Sequence, residues 1–353
     1  MEGLLEVPWI YLILAAFAGG AFGASVGALP AFIFTGLMVI AGEAGGLGGV
    51  TGQIAFGAVF GPHISFAGGA AAAAYAAKKG YMNTGFDFHE AKNITYAFGT
   101  KPDVLFVGGL FGILGLIITQ ISVNFALPWD GIAIAVVLSA LLHRVFLGYS
   151  LIGKVHAGSV LDMTPFERTE KKPSAESTVD DHVKEPTERF TVEPWLPHQY
   201  QWGPVAFLGL IGGVLGAFVA VATGSPFLAF GISAASLLFL NLGVEKFPVT
   251  HHITLPASTA ALAYMATVAE LPEAGALTGG GFSNGTILMA LLVGGLFGLI
   301  CALFGEFFQR IFYAQGDTHV DPPAAAITFG TFLIALLYFA GIFSTGVWVP
   351  GTV

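Results

Sequence analysis

HISFAGGAAAAAYAAK at residues 63–78 returns in outline as HITLPASTAALAYMAT at residues 252–267. Both stretches open on His-Ile, continue with a hydroxyl residue, and reach a tyrosine twelve positions after the histidine, at Tyr75 and Tyr264. Two more landmarks flank them in the same order. Gly-Gly-x-Phe/Leu-Gly-Ala occurs at Gly19 to Ala24 and at Gly212 to Ala217, and Val-Gly-Gly-Leu-Phe-Gly is identical at Val107 to Gly112 and Val293 to Gly298. The offsets are 193, 189 and 186 residues, and collinear matches that drift this slowly point to an internal duplication.

Of the 353 residues, 55% are hydrophobic and only 10% charged, with a mean hydropathy of +0.79. A water-soluble domain of this length does not carry that excess. Apolar stretches are long enough for about ten spans of roughly 20 residues, and the period-2 segments of a barrel are absent. The start, MEGLLEVPWIYLILAAFAGG, lacks the basic region and cleavage site of a signal peptide and reads as the first span. The fold class expected is an all-α polytopic membrane protein built from two five-helix repeats. A single cysteine, Cys301, excludes an intramolecular disulfide, and the net charge of −9 speaks against a nucleic-acid partner.

One stretch breaks the apolar pattern: residues 154–195 carry mixed charge, prolines and few aliphatics, the composition of a solvated, largely disordered linker. The chain divides accordingly into a first repeat (1–150), a charged linker (151–202) and a second repeat (203–353). Expected spans are 8–28, 30–43, 50–77, 103–124 and 131–149, then 203–222, 226–243, 249–269, 285–309 and 323–343. With five spans per half, all thirteen Lys and Arg fall on one side, which places the linker in the cytoplasm and both termini outside the cytoplasmic membrane. An odd number of spans inverts the second copy relative to the first, an architecture common in secondary transporters. Segment 30–43 is short, about 21 Å of helix against a hydrocarbon core of roughly 30 Å, so it reads as a tilted or re-entrant half-helix.

The glycines Gly19, Gly23, Gly108 and Gly112, with Gly212, Gly216, Gly294 and Gly298, lie at helical spacing and read as close-packing seams. Prolines mark expected helix breaks: Pro30 and Pro226 in the second span of each half, Pro62, Pro248 and Pro256 beside the histidines. A proline kink or an interfacial loop end is the alternative at each. Histidine inside an apolar span usually faces a cavity or a partner, so His63, His251 and His252, with the hydroxyls of Ser65, Thr254, Ser258 and Thr259, are the candidate solute contacts. Interfacial histidines bonded to backbone are the other reading. No HExxH or Cys-His spacing supports a metal site, and the spans lack paired carboxylates or a Ser-His-Asp set, so neither a metal, a cofactor nor an enzyme activity is expected.

GASVGALPAF, FGAVFGPHISF and AYAAKKGYM followed by EAKNITYAFGTKPDVLFVGGLFGILGL resemble, over about residues 20–120, the large membrane subunit of tripartite tricarboxylate transporters. The chain departs from that family at Pro30-Ala31-Phe32, where the family has a Pro-Gly-x-Gly turn, and at Gly61-Pro62-His63, where it has a Gly-Gly-Ser-type break. The resemblance implies uptake of small carboxylates with a small membrane subunit or an extracytoplasmic binding protein, and only the Pro30 turn and the His63 to Ser65 break carry over as contacts. The expected function is secondary transport of a small organic solute or anion, coupled to H⁺ or Na⁺, in a chain able to form homo-oligomers. A passive channel for a polar solute such as urea or ammonia is the alternative.

Overall fold

Glycines and capping side chains cut the apolar chain into helices. The computed structural model describes residues 9–155, 158–172, 189–275, 277 and 281–352. The first half contains α1 (Trp9–Val26), α2 (Ala28–Ala44), α3 (Ser65–Lys78), α4 (Pro102–Asn124) and α5 (Gly131–Leu147). A four-residue α6 (Thr164–Glu167) follows, and the second half contains α7 (Trp202–Thr223), α8 (Leu228–Asn241), α9 (His251–Val268), α10 (Asn284–Phe312) and α11 (Pro322–Phe339). Asp130 caps α5 by accepting from the Ile132 and Ala133 N–H groups, Asp321 caps α11, and Ser283 caps α10.

Among the described residues the regular elements are helices, and five of them, α1, α4, α7, α10 and α11, are long and apolar enough to cross a bilayer, as in an α-helical membrane protein. The remaining apolar helices α2, α5 and α8 have 17, 17 and 14 residues. Stretch 50–77 is not one span. Its first part is a π-helical turn, Val50–Ala55, followed by bends around Gly57, Gly61 and Pro62, and only Ser65–Lys78 is α-helical.

Three of the five prolines fall at breaks between helices, and two, Pro30 and Pro256, do not. The break between α1 and α2 falls at Gly27, whose φ of 97° suits glycine, and Pro30 sits in the first turn of α2, where helix N–H groups lack partners anyway. Pro62, Pro226 and Pro248 lie in the connections ahead of α3, α8 and α9, while Pro256 stands inside α9, which continues through it.

The duplicated landmarks assemble into the same three-helix unit twice. In the first half Gly20 of α1 lies against Gly108 and Gly112 of α4; in the second Gly213 of α7 lies against Gly294 and Gly298 of α10. Gly19 packs on Ile64 and Gly212 on Ile253, while Gly23 packs on Ser65 and Gly216 on Thr254. A methyl group at these glycines would strike backbone or a β-branched side chain, so the helices approach as closely as their axes permit.

Between the halves, equivalent helices meet. The α2 and α8 helices cross antiparallel: a Cβ on Gly36 would meet Ala234 and Ala235, and one on Gly231 would meet Val39 and Ile40. Gly231 and Ala235 stand 195 positions after Gly36 and Ile40, so the two contacts involve the same pair of positions from each half. The α5 and α11 helices also run antiparallel, with the Asp130 N–H donating to Thr331 Oγ1 (2.9 Å) and His143 Nε2 beside Thr318 Oγ1 (2.8 Å). Asp130 therefore starts α5 at a level halfway along α11.

In the charged segment between the halves, residues 156–157 and 173–188 lie outside the described residues, much of 151–172 is exposed, and most of 189–199 packs into the protein. Arg189, Thr191, Val192, Glu193, Leu196 and Gln199 are buried. Glu306, near the end of a span, is buried as well and pairs with Arg310 at 2.5 Å. A solvated, disordered linker is thus the wrong description of residues 189–201: its charges find buried opposite charges elsewhere in the chain.

Candidate functional site

A cavity of about 510 Å³ lies between the halves, in the range of small-molecule sites. Part of its lining comes in pairs of positions equivalent between the two halves. Asp130 and Asp321, Ala133 and Ala324, and Val136 and Ile327 are each separated by 191 residues. Phe66 and Leu255 at offset 189, and Phe32 and Phe227 at offset 195, continue the pattern. Pro62 of one half is matched by His251 of the other, which is where the symmetry of the walls fails. Most of the surface is apolar and aromatic; the exposed rim lies at Asp87 and at residues 243–246.

Of the candidate contacts, only His251 reaches this cavity. Its ring lies 4.8 Å from Phe32 and 5.9 Å from Phe230, and its Nδ1 is buried without a hydrogen-bond partner. His63 packs into its own half with its backbone against Gly115 of α4. His252 sits edge-on to Trp195 at 5.9 Å, close to Gly305 of α10. Neither ring contact nor hydrogen bond joins His63 to His252. The hydroxyls are likewise committed to backbone: Ser65 donates to Phe60 O, Thr254 to His251 O, Ser258 to Gly216 O and Thr259 to Leu255 O. Residues 63 and 252 align in sequence, but their immediate predecessors face the space between the halves.

At the end of the bundle that carries the basic residues, the intervening segment supplies Trp195, Leu196, Pro197 and His198 to the cavity wall. Hydrogen bonds tie it to both sides. Trp195 N–H donates to Gln309 Oε1 (3.1 Å), and Gln199 exchanges two bonds of 2.9 Å with the Val249 backbone. Glu193 anchors the segment: its carboxylate accepts from Lys92 Nζ and from Arg189 Nε, both at 2.7 Å, and Arg189 reaches Asp317 Oδ1 at 2.6 Å. Burial would raise the Glu193 carboxyl, but the Lys92 and Arg189 cations outweigh it and hold it at about 2. Burial dominates at Lys92, bringing its ammonium down to about 8 despite the Glu193 carboxylate. The pair is therefore ionised at neutral pH, with Lys92 Nζ also 4.5 Å above the Tyr313 ring.

With this geometry, relatives become informative. The chain belongs to the family of unknown function DUF7973. The family's sequence model matches residues 3–352, both halves and the segment that joins them. No curated protein and no solved structure matches the chain, so the tricarboxylate-transporter resemblance draws no support from relatives. In this DUF7973 protein the features that sequence reasoning passed over are the two capping aspartates and the Lys92–Glu193 pair. Asp130-Gly131 and Asp321-Pro322-Pro323 each open the last apolar stretch of a half, a helix-start signature that could have located both carboxylates. Lys92 and Glu193 are 101 residues apart, and no local pattern joins them.

Proposed function

We propose that the chain is a secondary transporter made of two inverted five-helix repeats, moving a small organic solute through the cavity between them by alternating access. The carrying observation is the cavity itself, lined by equivalent positions of both halves and set between the antiparallel pairs α2–α8 and α5–α11. When equivalent helices cross antiparallel, the two-fold relating them is perpendicular to the helices and so lies in the plane of the bilayer. That is the arrangement in which one set of contacts serves two openings, each half taking in turn the conformation of the other. Basic side chains crowd the end where the segment 189–199 packs, which supports a cytoplasmic position for it and an inward-facing rim at 243–246.

Helices α3, α5 and α9 begin beside the cavity and follow non-helical connections, the kind of irregular backbone that is tolerated at membrane depth only beside protein or a cavity. H⁺ or Na⁺ is the coupling ion in this reading. The test is a flux screen on the purified chain in liposomes, with a panel of organic cations, carboxylates, amino acids, urea and ammonium, under imposed pH and Na⁺ gradients. Saturable uptake that collapses with one gradient is the expected result. Non-saturating flux indifferent to ionophores would make the protein a passive facilitator, and absence of flux for every solute class would remove the transport function.

A further inference from the structure

We infer that the cavity selects an organic cation with an apolar body, and that Asp130 supplies its counter-charge. The inference rests on the transport reading of the same cavity and adds the class of its solute.

The two capping aspartates line the cavity as equivalents, yet their surroundings differ. Asp321 accepts from the Ala324 N–H through Oδ2 (2.8 Å) and has His319 Nε2 at 3.1 Å on Oδ1. The position equivalent to His319 in the first half is Pro128, which offers nothing. Asp130 accordingly accepts only from its own helix, Ile132 N–H at 2.8 Å and Ala133 N–H at 3.2 Å, both on Oδ1. Its Oδ2 has no partner, and no basic side chain pairs with Asp130 among the described residues. The side chain is 7% exposed, and it is part of the cavity lining.

A buried carboxylate without a counter-charge is costly in a protein interior, and more so inside a membrane protein. The rest of the lining says what completes it. Lys92 is committed to Glu193, and Lys246 stands at the exposed rim, so no cation inside awaits an anionic solute. Phe32, Phe66, Phe230 and Trp348 present ring surface to the same space, which attracts an ammonium group and accommodates an apolar body. His251, its Nδ1 buried without a protein partner, adds one hydrogen-bonding group. A carboxylate solute would meet Asp130 and Asp321 and find no cation to oppose them.

The experiment measures equilibrium binding to the full chain in detergent, with ammonium probes from tetramethylammonium to phenyltrimethylammonium set beside benzoate and benzyl alcohol. At least one ammonium probe should bind saturably and more than tenfold tighter than benzoate or benzyl alcohol. Asp130→Asn should weaken it about tenfold to a hundredfold, the range for losing a charged hydrogen-bond partner, and Asp130→Glu should recover part of the loss. Helicity and monodispersity of each variant separate misfolding from lost binding. No ammonium probe binding, benzoate binding at least as tightly, or an unchanged ammonium affinity in Asp130→Asn would each overturn the inference. Flux assays on the same preparations separate the two proposals: ammonium binding without flux sinks the transporter and leaves the selectivity. Gradient-driven flux of another solute class, with no ammonium binding, does the reverse.

Discussion

Replacing Glu193 by glutamine removes one negative charge and leaves the side-chain volume almost unchanged. In the native chain that carboxylate faces two buried cations, Lys92 and Arg189, at 2.7 Å each. Arg189 keeps Asp317, whereas Lys92 Nζ loses its only ion-pair partner among the described residues. Breaking a buried pair by removing one partner costs about 3–5 kcal/mol, because the other charge stays buried and uncompensated. Titration agrees in direction: burial would raise the Glu193 carboxyl, but the Lys92 and Arg189 cations hold it at about 2 against an ordinary value of 4.5, so its ionisation favours the folded chain near neutral pH. That stability is complete above pH 4.5 and is lost as pH falls towards 2, since the unfolded chain takes up the proton first. The assay is unfolding of the purified protein by denaturing detergent, followed by circular dichroism, for Glu193→Gln, Lys92→Met and the double variant. Glu193→Gln should lose about 3–5 kcal/mol, and Lys92→Met less, because Glu193 keeps Arg189 at 2.7 Å. The double should lose at least 2 kcal/mol less than their sum, a coupling of the size contacting residues show. Additive losses, or a Glu193→Gln variant within about 0.5 kcal/mol of the parent, would refute the assignment of Glu193 as the anchor of the cavity wall.

The crossing of α2 and α8 should respond equally from either half. Gly36→Val and Gly231→Val each drive a branched side chain into the partner backbone and should each cost roughly 1–3 kcal/mol or more. Gly48→Ala, which meets nothing within 4 Å, should be silent in the same unfolding assay. Cys301 has no exposed surface, so a water-soluble maleimide should leave the native protein unlabelled and modify it stoichiometrically after denaturation; labelling of the native chain would mean that α10 opens to water.

Much of the helical architecture is visible in composition, because burial of an apolar helix in lipid requires only length and hydropathy. The glycine landmarks are legible for a similar reason: a seam needs small residues at fixed spacing, and Gly20, Gly108, Gly213 and Gly294 fall where that spacing puts them. Pro62, Pro226 and Pro248 mark breaks, but Pro30 misleads, since proline is tolerated in the first turn of a helix and sequence alone does not tell that Gly27 begins the count. The histidines mislead by one position. His63 and His252 align, but which side chains reach the cavity is set by how the halves dock, and those are Pro62 and His251, one position earlier in each half. The charged segment reads as solvated because its partners lie far away in sequence: Glu193 looks exposed until Lys92 is brought beside it.

The most direct test of alternating access uses Ala133 and Ala324, equivalent positions that both line the cavity. In a Cys301→Ala background, Ala133→Cys and Ala324→Cys are introduced together, and vesicles of known orientation are treated with a bulky, impermeant maleimide from one face and then from the other. Modifying one cysteine from the face that carries the basic residues should hold the cavity open on that side and protect its equivalent from reagent on the opposite face, with the same protection when the order of faces is reversed. A second cysteine that reacts at an undiminished rate from the opposite face would describe a cavity open to both sides at once, and would contradict the account.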